Sequence, residues 1–268
     1  MSSKERALVE VFATLDSVAV AVSGGVDSMT LAHLVHRHFG VRARMVHAMS
    51  PAVPAEATAR VRVHATGQGW ALSLIDAGEF SDARYRANPV DRCYFCKSSL
   101  YDRIAERCEG VIFSGTNTDD LGDYRPGLKA AAERGVRHPF VEAGVAKADI
   151  RALARALGLG DLAELPASPC LASRIETGIG IDAGDLALVE TVEECVRAAL
   201  GAVEVRCRIT ARGVRLELGA EALEQLLSPV GSPVRAAVEA TIVGSGRVFL
   251  GCASYRRGSA FLRGDARA

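Results

Sequence analysis

The sequence predicts an α/β fold, a doubly wound parallel sheet with a smaller C-terminal α+β domain. Short apolar segments rich in β-branched residues alternate with helical segments over much of the 268-residue chain, and this alternation is typical of βαβ units around a parallel sheet. Beyond Gly178-Ile179-Gly180 the pattern changes to one long helix followed by two neighbouring strands. We therefore expect a first domain over residues 1–178 and a second over residues 179–268.

Each element is predicted by its own local pattern. Apolar runs of strand length occur at residues 17–22, 43–49, 71–75 and 110–113, as expected of strands buried on both faces. Helical apolar spacing covers residues 29–39, 56–67, 96–108 and 147–157, and the first and last of these end at Gly40 and Gly158. In the second domain we expect a helix over residues 183–200, strands over 203–209 and 214–218, shorter helices, and a strand near Val248.

The loops after the first-domain strands are the expected place of a ligand site. In an open parallel sheet, ligands bind at the carboxyl ends of the strands. The loops after Val22, Met49, Ile75 and Ser114 should therefore line one cleft.

Composition argues against several classes of partner. Lys and Arg number 32, as do Asp and Glu, so the formal net charge is zero and a whole-protein positive field for nucleic acid is absent. No apolar run approaches the roughly 20 residues of a membrane helix, and the N-terminal Met-Ser-Ser-Lys-Glu-Arg lacks an apolar signal region. We expect a cytoplasmic protein whose partners include neither nucleic acid nor membrane. An odd count of seven cysteines argues against a disulfide framework.

The most specific local pattern is Ser23-Gly24-Gly25-Val26-Asp27-Ser28, between the first predicted strand and its helix. A glycine pair lets backbone N–H groups approach an anion, and the helix N-terminus adds partial positive charge. The serine hydroxyls can donate hydrogen bonds, while Asp27 suits a magnesium ion or water better than phosphate itself. Neither a Walker A lysine nor a dinucleotide-binding glycine pattern is present. The alternative is a plain strand-to-helix turn with an Asp or Ser cap.

The string Ser23–Ser28 resembles the PP-loop of the N-type ATP pyrophosphatases, which have an adenine nucleotide alpha hydrolase-like fold. Three further stretches, in order and spacing, resemble the LarE-type ATP-dependent sulfur transferases of that superfamily. They are Arg92-Cys93-Tyr94-Phe95-Cys96-Lys97, the segment 117–127 (Asn-Thr-Asp-Asp-Leu-Gly-Asp-Tyr-Arg-Pro-Gly), and Pro169-Cys170-Leu171-Ala172-Ser173-Arg174. The resemblance covers nearly the whole chain, including Val205-Arg206-Cys207-Arg208 and Tyr255-Arg256-Arg257-Gly258.

This resemblance implies a two-stage reaction. ATP would adenylate a carboxylate of pyridinium-3,5-biscarboxylic acid mononucleotide, with release of pyrophosphate. A sulfur nucleophile would then displace AMP and leave a thiocarboxylate for a nickel-pincer cofactor. The chemistry is sound, because adenylation gives a poorly electrophilic carboxylate a leaving group and nearby donors can stabilise the tetrahedral intermediate.

The resemblance also assigns roles to three cysteines. Cys170 corresponds to the cysteine that supplies or handles the sulfur, and Cys93 and Cys96 correspond to a branch in which three cysteines hold a [4Fe-4S] cluster. Paired Cys-x-x-Cys ligands with a distant cysteine are common in iron–sulfur proteins. The alternatives are a sacrificial Cys170 without a cluster, a redox disulfide or zinc site at Cys93 and Cys96, and an inert loop thiol at Cys170. The neighbouring Ser168, Ser173 and Arg174 favour a reactive thiolate over an inert one.

Further site residues are expected around the two ligands. By resemblance, Lys97 and Arg125, in cleft loops, contact phosphates, while Ser50, Gly115 and Arg174 are further candidates for the nucleotide sites. Asp119 and Asp120 would orient magnesium or substrate, or else cap a helix.

In the second domain the candidates are mainly arginines. Arg206 and Arg208 share one strand face and suit a phosphate, with Arg256 contributing, and Glu193 and Glu217 would bind metal or substrate. A salt-bridge network explains these five equally well. The family pattern Gly-Tyr-Arg-x-Gly is altered here to Ser254-Tyr255-Arg256-Arg257-Gly258, which keeps the tyrosine and the arginine but changes the residue before them.

Two other function classes compete with sulfur transfer. One is another PP-loop adenylating enzyme, such as a tRNA thiolase or an amide-forming synthetase, but the zero net charge and the lack of a glutaminase domain argue against these. The other is a non-catalytic nucleotide or iron–sulfur binding module. The expected ligands are ATP, magnesium, the [4Fe-4S] cluster and a small-molecule nucleotide substrate, and the expected partners are further copies of the chain and downstream cofactor-assembly proteins.

Overall fold

A computed structural model describes residues 2–122, 125–201 and 203–256. Asp123, Tyr124, Arg257 and Gly258, which belong to the motifs above, lie outside the described residues. In chain order the elements are α1 (Ser3–Phe12), β1 (Val18–Ala21), α2 (Val26–Phe39), β2 (Ala43–Ala48), α3 (Ala55–Gln68), β3 (Ala71–Ile75), α4 (Ala83–Arg86), α5 (Arg92–Ala105), β4 (Val111–Ser114), α6 (Pro126–Glu133), α7 (Pro139–Glu142), α8 (Lys147–Ala156), α9 (Gly160–Ala163), α10 (Ala183–Leu200), β5 (Val205–Thr210), β6 (Gly213–Leu218), α11 (Ala220–Leu227), α12 (Ser232–Gly244) and β7 (Phe249–Ser254).

The first sheet has four strands in the order β3-β2-β1-β4, and all of its pairings are parallel. Its central strand β1 is buried at every position. Val18 and Val20 belong to one hydrophobic core, and Ala19 and Ala21 belong to another on the opposite face. Helices therefore cover both faces, which explains the continuous apolar run at residues 17–22 and confirms the predicted α/β class.

The second sheet has three strands in the order β5-β6-β7. The pair β5–β6 is antiparallel, with Arg206 opposite Glu217 and Arg208 opposite Arg215, whereas β6–β7 is parallel. Helix α10 buries an apolar face that includes Leu186, and it contacts β5 and α12. The mixed sheet and its helices confirm the smaller α+β region.

The chain divides into two compact units. The first contains the residues up to Asp82 together with Asp91–Ser168, and the second contains Ala83–Val90 together with the residues from Pro169 onward. The compact units do not show which parts of the chain fold independently. The domain boundary expected after residue 178 therefore stays a prediction. Within the described ranges, every helix is too short or too polar to cross a membrane.

One element differs from expectation in a way that matters for the site. The helix expected at residues 96–108 starts at Arg92 and ends at Ala105. Lys97 therefore lies on α5, as the helix pattern predicted, and its placement in a cleft loop was wrong. Because α5 starts at Arg92, Cys93 and Cys96 lie within it, and their spacing of three residues places both on one face of the helix.

Candidate functional site

The segment Ser23-Gly24-Gly25 forms a tight turn between β1 and α2. Gly24 has a φ of 84°, a left-handed conformation that favours glycine. A Cβ at Gly24 would lie 2.8 Å from the carbonyl oxygen of Ala57 on α3, so the turn is pressed against that helix. Gly25 is the N-cap of α2, and no side chain caps the helix. The backbone amides at this helix start are therefore not covered by an Asp or Ser cap, contrary to the simple-turn alternative.

The two serines of the motif close the turn from within. The Ser23 N–H donates to the hydroxyl oxygen of Ser28 at 3.0 Å, and their two hydroxyl oxygens are also 3.0 Å apart. The Ser28 hydroxyl donates in turn to the Gly25 carbonyl at 3.2 Å. These bonds join the two ends of the loop and so restrict its conformational freedom.

Gly115, in the turn after β4, lies directly against the start of α2. A Cβ at this position would lie 2.8 Å from the Ser28 backbone nitrogen and 3.0 Å from the Asp27 carbonyl carbon. Since those atoms are backbone, only glycine fits without displacing the Ser23–Ser28 loop. The structure therefore brings Gly115 to the site at which the sequence places it.

Asp27 forms a close ion pair with Lys147, the first residue of α8. The lysine Nζ lies 2.7 and 2.6 Å from the two carboxylate oxygens. Burial raises the pKa of Asp27, and the hydrogen bond and charge of Lys147 offset part of that rise. A second carboxylate, on Asp119, accepts the backbone N–H of Lys147 at 3.1 Å. Asp119 thus caps the start of α8. This contact supports helix capping, the alternative to magnesium or substrate binding that the sequence left open for Asp119.

Lys147 is a site residue that sequence reasoning missed. In the sequence, Lys147 is recognisable only as the first residue of a predicted helix. A lysine at that position does not by itself indicate a functional role. The pairing with Asp27 joins residues 120 positions apart, so no local pattern contains it.

The other candidates of the first unit lie in three places. Ser50 follows β2 and its hydroxyl accepts the Ala52 N–H at 3.1 Å. The Lys97 ammonium lies 5.7 Å from the centre of the Tyr101 ring on the same helix. Arg125 forms an ion pair with Asp120 at 2.7 Å.

The cysteines differ in exposure. Cys93 and Cys96 lie on the first turns of α5 and are half-buried, while Cys170 is exposed in the loop before a short 3₁₀ helix, Leu171–Arg174. Across residues 2–122, 125–201 and 203–256, no group of three or more His, Cys, Asp or Glu side chains is arranged to hold a metal ion.

Arg174 fixes the backbone that carries Cys170. Its Nη1 donates to the carbonyl oxygens of Pro169 at 2.7 Å and Cys170 at 3.2 Å. Its Nε and Nη2 form a bidentate pair with Glu193 at 2.9 and 2.8 Å. Burial alone would raise the pKa of Glu193, but Arg174 outweighs it and holds that pKa below the usual value.

Glu193 therefore has the surroundings of a structural ion pair. Its side chain has 0% exposure, and it also accepts the Cys207 N–H at 2.9 Å and contacts Arg197 at 3.3 Å. A carboxylate that is saturated by three partners has little capacity left for a ligand. This geometry supports the salt-bridge alternative for Glu193, and it gives Arg174 the role of holding the Cys170 loop.

The second unit contains a cavity of about 440 Å³ that is rich in charged groups. Arg208 donates to Glu217 at 3.0 Å and to the Ser173 carbonyl at 2.8 Å. The guanidinium carbons of Arg206 and Arg208 lie 5.4 and 6.0 Å from the centre of the Tyr255 ring. We call the 440 Å³ cavity the arginine cavity. Its lining residues are Glu176, Arg208, Thr210, Arg215, Glu217, Ala253, Ser254 and Arg256.

Arg215 is a second residue that sequence reasoning missed, although a signal for it existed. The turn between β5 and β6 has two residues, and Thr210 pairs with Gly213. Counting back along both strands places Arg208 opposite Arg215, and facing pairs in a hairpin project to the same side. Two like charges in this arrangement repel one another unless an anion or carboxylate lies between them.

Comparison with known proteins identifies the family. No family model matches the chain. It is 31% identical over 223 residues to pyridinium-3,5-bisthiocarboxylic acid mononucleotide synthase of Lactiplantibacillus plantarum, and the match covers 81% of this chain and 80% of that protein. The chain belongs to the LarE-type family.

Two uncharacterized proteins are also similar to this LarE-type chain. One, from Synechocystis, is 36% identical over 234 residues, covering 86% of this chain and 87% of its own. The other, from Methanocaldococcus jannaschii, is 28% identical over 194 residues, covering 70% and 73%. Because the named relative is a synthase, the LarE-type family is one of enzymes.

Proposed function

We propose that this LarE-type chain is an ATP-dependent sulfur transferase. It adenylates a carboxylate of pyridinium-3,5-biscarboxylic acid mononucleotide, with release of pyrophosphate, and then replaces the carboxylate oxygen with sulfur. The observation that carries the proposal is the turn before α2, where the Ser23–Ser28 bonds and the contact of Gly24 with α3 shape backbone amides for an anion. Similarity to a synthase of the bisthiocarboxylic acid mononucleotide supports the choice of substrate.

The phosphate loop would hold the ATP phosphates through backbone N–H groups and the N-terminus of α2. Asp27, in the first turn of α2, and Lys147, the first residue of α8, form an ion pair there and supply one charge of each sign. Magnesium commonly takes one or two protein carboxylates together with substrate phosphates, so Asp27 is a fitting ligand for it. Lys147 contacts both Asp27 oxygens, and with magnesium held at Asp27 its ammonium would instead donate to the phosphates.

The arginine cavity would bind the phosphate of the nucleotide substrate. Arg208, Arg215 and Arg256 contribute three guanidinium groups to the lining, against the two carboxylates of Glu176 and Glu217. Guanidinium groups bind phosphate oxygens in pairs through planar hydrogen bonds. A net positive charge in a concave site is therefore matched to a phosphate monoester.

Cys170 would handle the sulfur. It is exposed, and Arg174 holds the two carbonyls that flank it, so the thiol is presented on a fixed loop. Cys93 and Cys96, one turn apart on α5, fit a pair of cluster ligands. When bound by these three thiolates, a [4Fe-4S] cluster would supply an open iron able to carry the sulfide that is transferred. The alternative is that the Cys170 sulfur is itself consumed.

Substrate-dependent pyrophosphate release tests the adenylation step. The purified protein should release pyrophosphate and form AMP only when both ATP and the pyridinium biscarboxylate mononucleotide are present. Unfractionated tRNA, and ammonia with simple carboxylates, serve as controls for the competing enzymes. Pyrophosphate release that ignores the pyridinium nucleotide, or that requires tRNA, would contradict the proposal.

A second experiment separates the two sources of sulfur. The protein is reconstituted anaerobically with iron and sulfide, and its optical spectrum and intact mass are recorded before and after turnover. Iron–sulfur absorption that is lost in a Cys93→Ser, Cys96→Ser variant supports the cluster. No such absorption, together with a mass loss of one sulfur atom at Cys170 after turnover, supports the sacrificial route. Cys170→Ala should still release pyrophosphate and form the adenylated substrate, and it should transfer no sulfur.

The remaining expectations concern partners. We propose that the chain forms a homo-oligomer and that its thiocarboxylate product passes to downstream cofactor-assembly proteins.

A further inference from the structure

Arg60, on α3, contacts the phosphate loop although it belongs to none of the sequence motifs. Its Nη1 donates to the Gly24 carbonyl oxygen at 2.8 Å, and the side chain is half-buried. The same helix contributes Ala57, whose carbonyl oxygen is the nearest atom to Gly24. Helix α3 therefore forms the rear wall of the loop.

The Arg60 bond has a direct consequence for the next amide. In a trans peptide the carbonyl of one residue and the N–H of the following residue point in opposite directions. A donor held on the Gly24 carbonyl therefore directs the Gly25 N–H away from α3. Among the described residues, no acceptor faces the Gly25 N–H, so this donor is available to a ligand.

A similar contact holds the carbonyl two residues earlier, at Val22. The Nδ1 of His47 lies 2.8 Å from the Val22 carbonyl oxygen, and its Nε2 lies 2.9 Å from the Thr58 hydroxyl of α3. Since a carbonyl only accepts, Nδ1 carries the proton, and burial lowers the pKa of His47 so that the ring is neutral. The Ser23 N–H, directed away from this carbonyl, is the one that bonds Ser28. Both carbonyls are thus held by side chains, that of Val22 by His47 on β2 and that of Gly24 by Arg60 on α3.

We infer that Arg60 is a positioning residue for ATP, which orients the Gly24–Gly25 peptide so that the Gly25 N–H donates to a phosphate oxygen. The inference rests on the proposed function, because it requires ATP at this loop. Arg60 itself contacts no ligand, since its guanidinium is engaged behind the peptide. A glycine-rich turn is flexible, so a side chain that fixes one peptide plane reduces the cost of ordering it on binding.

Calorimetric titration with ATP and with adenosine tests the inference. In Arg60→Met the Kd for ATP should rise about tenfold, the effect of one lost charge-assisted hydrogen bond, and the Kd for adenosine should not change. Arg60→Lys should recover much of the lost ATP affinity, because an ammonium can also donate to the carbonyl. Arg62→Met is the matched control, since Arg62 is an exposed arginine on the same helix and its contact is with the Met49 sulfur at 3.8 Å.

The outcomes separate this inference from the proposed function. Equal ATP affinity in Arg60→Met and Arg62→Met would overturn the positioning role while leaving ATP binding intact. A parallel loss of ATP and adenosine binding would also overturn it, because the variant would then disturb the whole nucleotide site. If the unmodified protein binds adenosine as tightly as ATP, the phosphate loop assignment itself fails.

A measurement on the unmodified protein covers the case in which Arg60→Met does not fold. With ¹⁵N-glycine labelling, the Gly25 amide resonance should shift downfield on addition of ATP and not on addition of adenosine. A Gly25 resonance that ATP leaves unchanged would overturn the inference.

Discussion

At the scale of single residues, the ion pair between Asp27 and Lys147 sets the local charge beside the Ser23–Ser28 loop, where we propose that the ATP phosphates bind. Lys147→Met removes the ammonium that offsets the raised pKa of Asp27, so that pKa rises further. We expect kcat/KM for pyrophosphate release to fall roughly 10- to 100-fold at pH 7, the effect of one lost charged hydrogen bond to the phosphates. The acid limb of the pH profile should also move to higher pH, because Asp27 is protonated sooner.

The control for this prediction is Lys129→Met. Lys129 is a lysine with a 74% exposed side chain and an ion pair to Glu133 on the same helix. It changes the net charge equally and should leave the profile unchanged. An acid limb at the same pH in Lys147→Met and the unmodified protein would contradict the assigned role.

At the scale of elements, a histidine pair joins three helices of the first unit. His33 on α2 lies 3.0 Å from His64 on α3, and His64 lies 3.3 Å from the Asp161 carboxylate on α9. Burial, together with the charges of His64 and His36, lowers the pKa of His33 to about 4. The ring also lies edge-on to Trp70, with 4.8 Å between ring centres.

This pair predicts acid-sensitive stability. The unfolded chain takes up a proton on His33 near its ordinary pKa, and the folded chain does so only near pH 4, so stability is lost as pH falls through this window. The loss reaches about 3 kcal/mol, at about 1.4 kcal/mol per pKa unit. Urea denaturation between pH 4 and pH 7 measures it. His33→Gln, which has no proton to gain, should flatten the slope, and an unchanged slope would show that other groups cause it.

The β5–β6 hairpin makes a separate prediction about the arginine cavity. Arg215→Ala removes a guanidinium opposite Arg208 and should raise KM for the pyridinium nucleotide about tenfold with little change in kcat, as expected for a lost ground-state contact. KM for ATP should stay constant. Arg212→Ala, in the exposed turn of the same hairpin, is the control, and an equal effect of both variants would point to general electrostatics.

The elements themselves were largely predictable, and the contacts between them were not. The strand at residues 71–75 and the helix at residues 183–200 have the predicted limits, because apolar periodicity is a local property. The Ser23–Ser28 loop was also predictable, because its motif lies in six consecutive residues. Glu193 pairing with Arg174, Lys147 pairing with Asp27 and Arg60 pairing with Gly24 all depend on which helices the fold brings together, and one sequence carries no record of that choice.

At the scale of the whole molecule, the second unit is built from two separate segments of the chain. The short segment Ala83–Val90 belongs to that unit although it lies far from the rest of it in sequence. Asn88 joins the two parts: its side-chain Nδ2 donates to the carbonyl oxygens of Glu176 and Ile179, both at 2.9 Å. Its carbonyl accepts the Gly178 N–H at 2.9 Å, and Ile181 donates to Arg86 at 2.8 Å.

Asn88 should therefore be among the most sensitive positions for stability. It is 0% exposed and has a φ of 53°, a left-handed conformation that asparagine tolerates better than other non-glycine residues. Asn88→Ala loses the side-chain hydrogen bonds and places alanine in a strained conformation, so we expect a loss of about 2–4 kcal/mol in the free energy of unfolding. Asn88→Gly relieves the strain and should lose less. Urea unfolding curves of the two variants separate the contributions, and native-like stability in both would refute the joining role.

The same contacts bear on where the chain can be divided. A fragment of residues 1–178 keeps Asn88 but removes Ile179 and Ile181, which are bonded to the segment Ala83–Val90. It also separates Arg174 from Glu193, leaving a guanidinium that is 2% exposed in the intact protein without its carboxylate, a change that is strongly destabilising for buried pairs. We therefore expect this fragment to be less stable than the full chain to urea and to proteolysis. A fragment that matches the full chain in both measurements would support the boundary after residue 178 as a true limit between folding units.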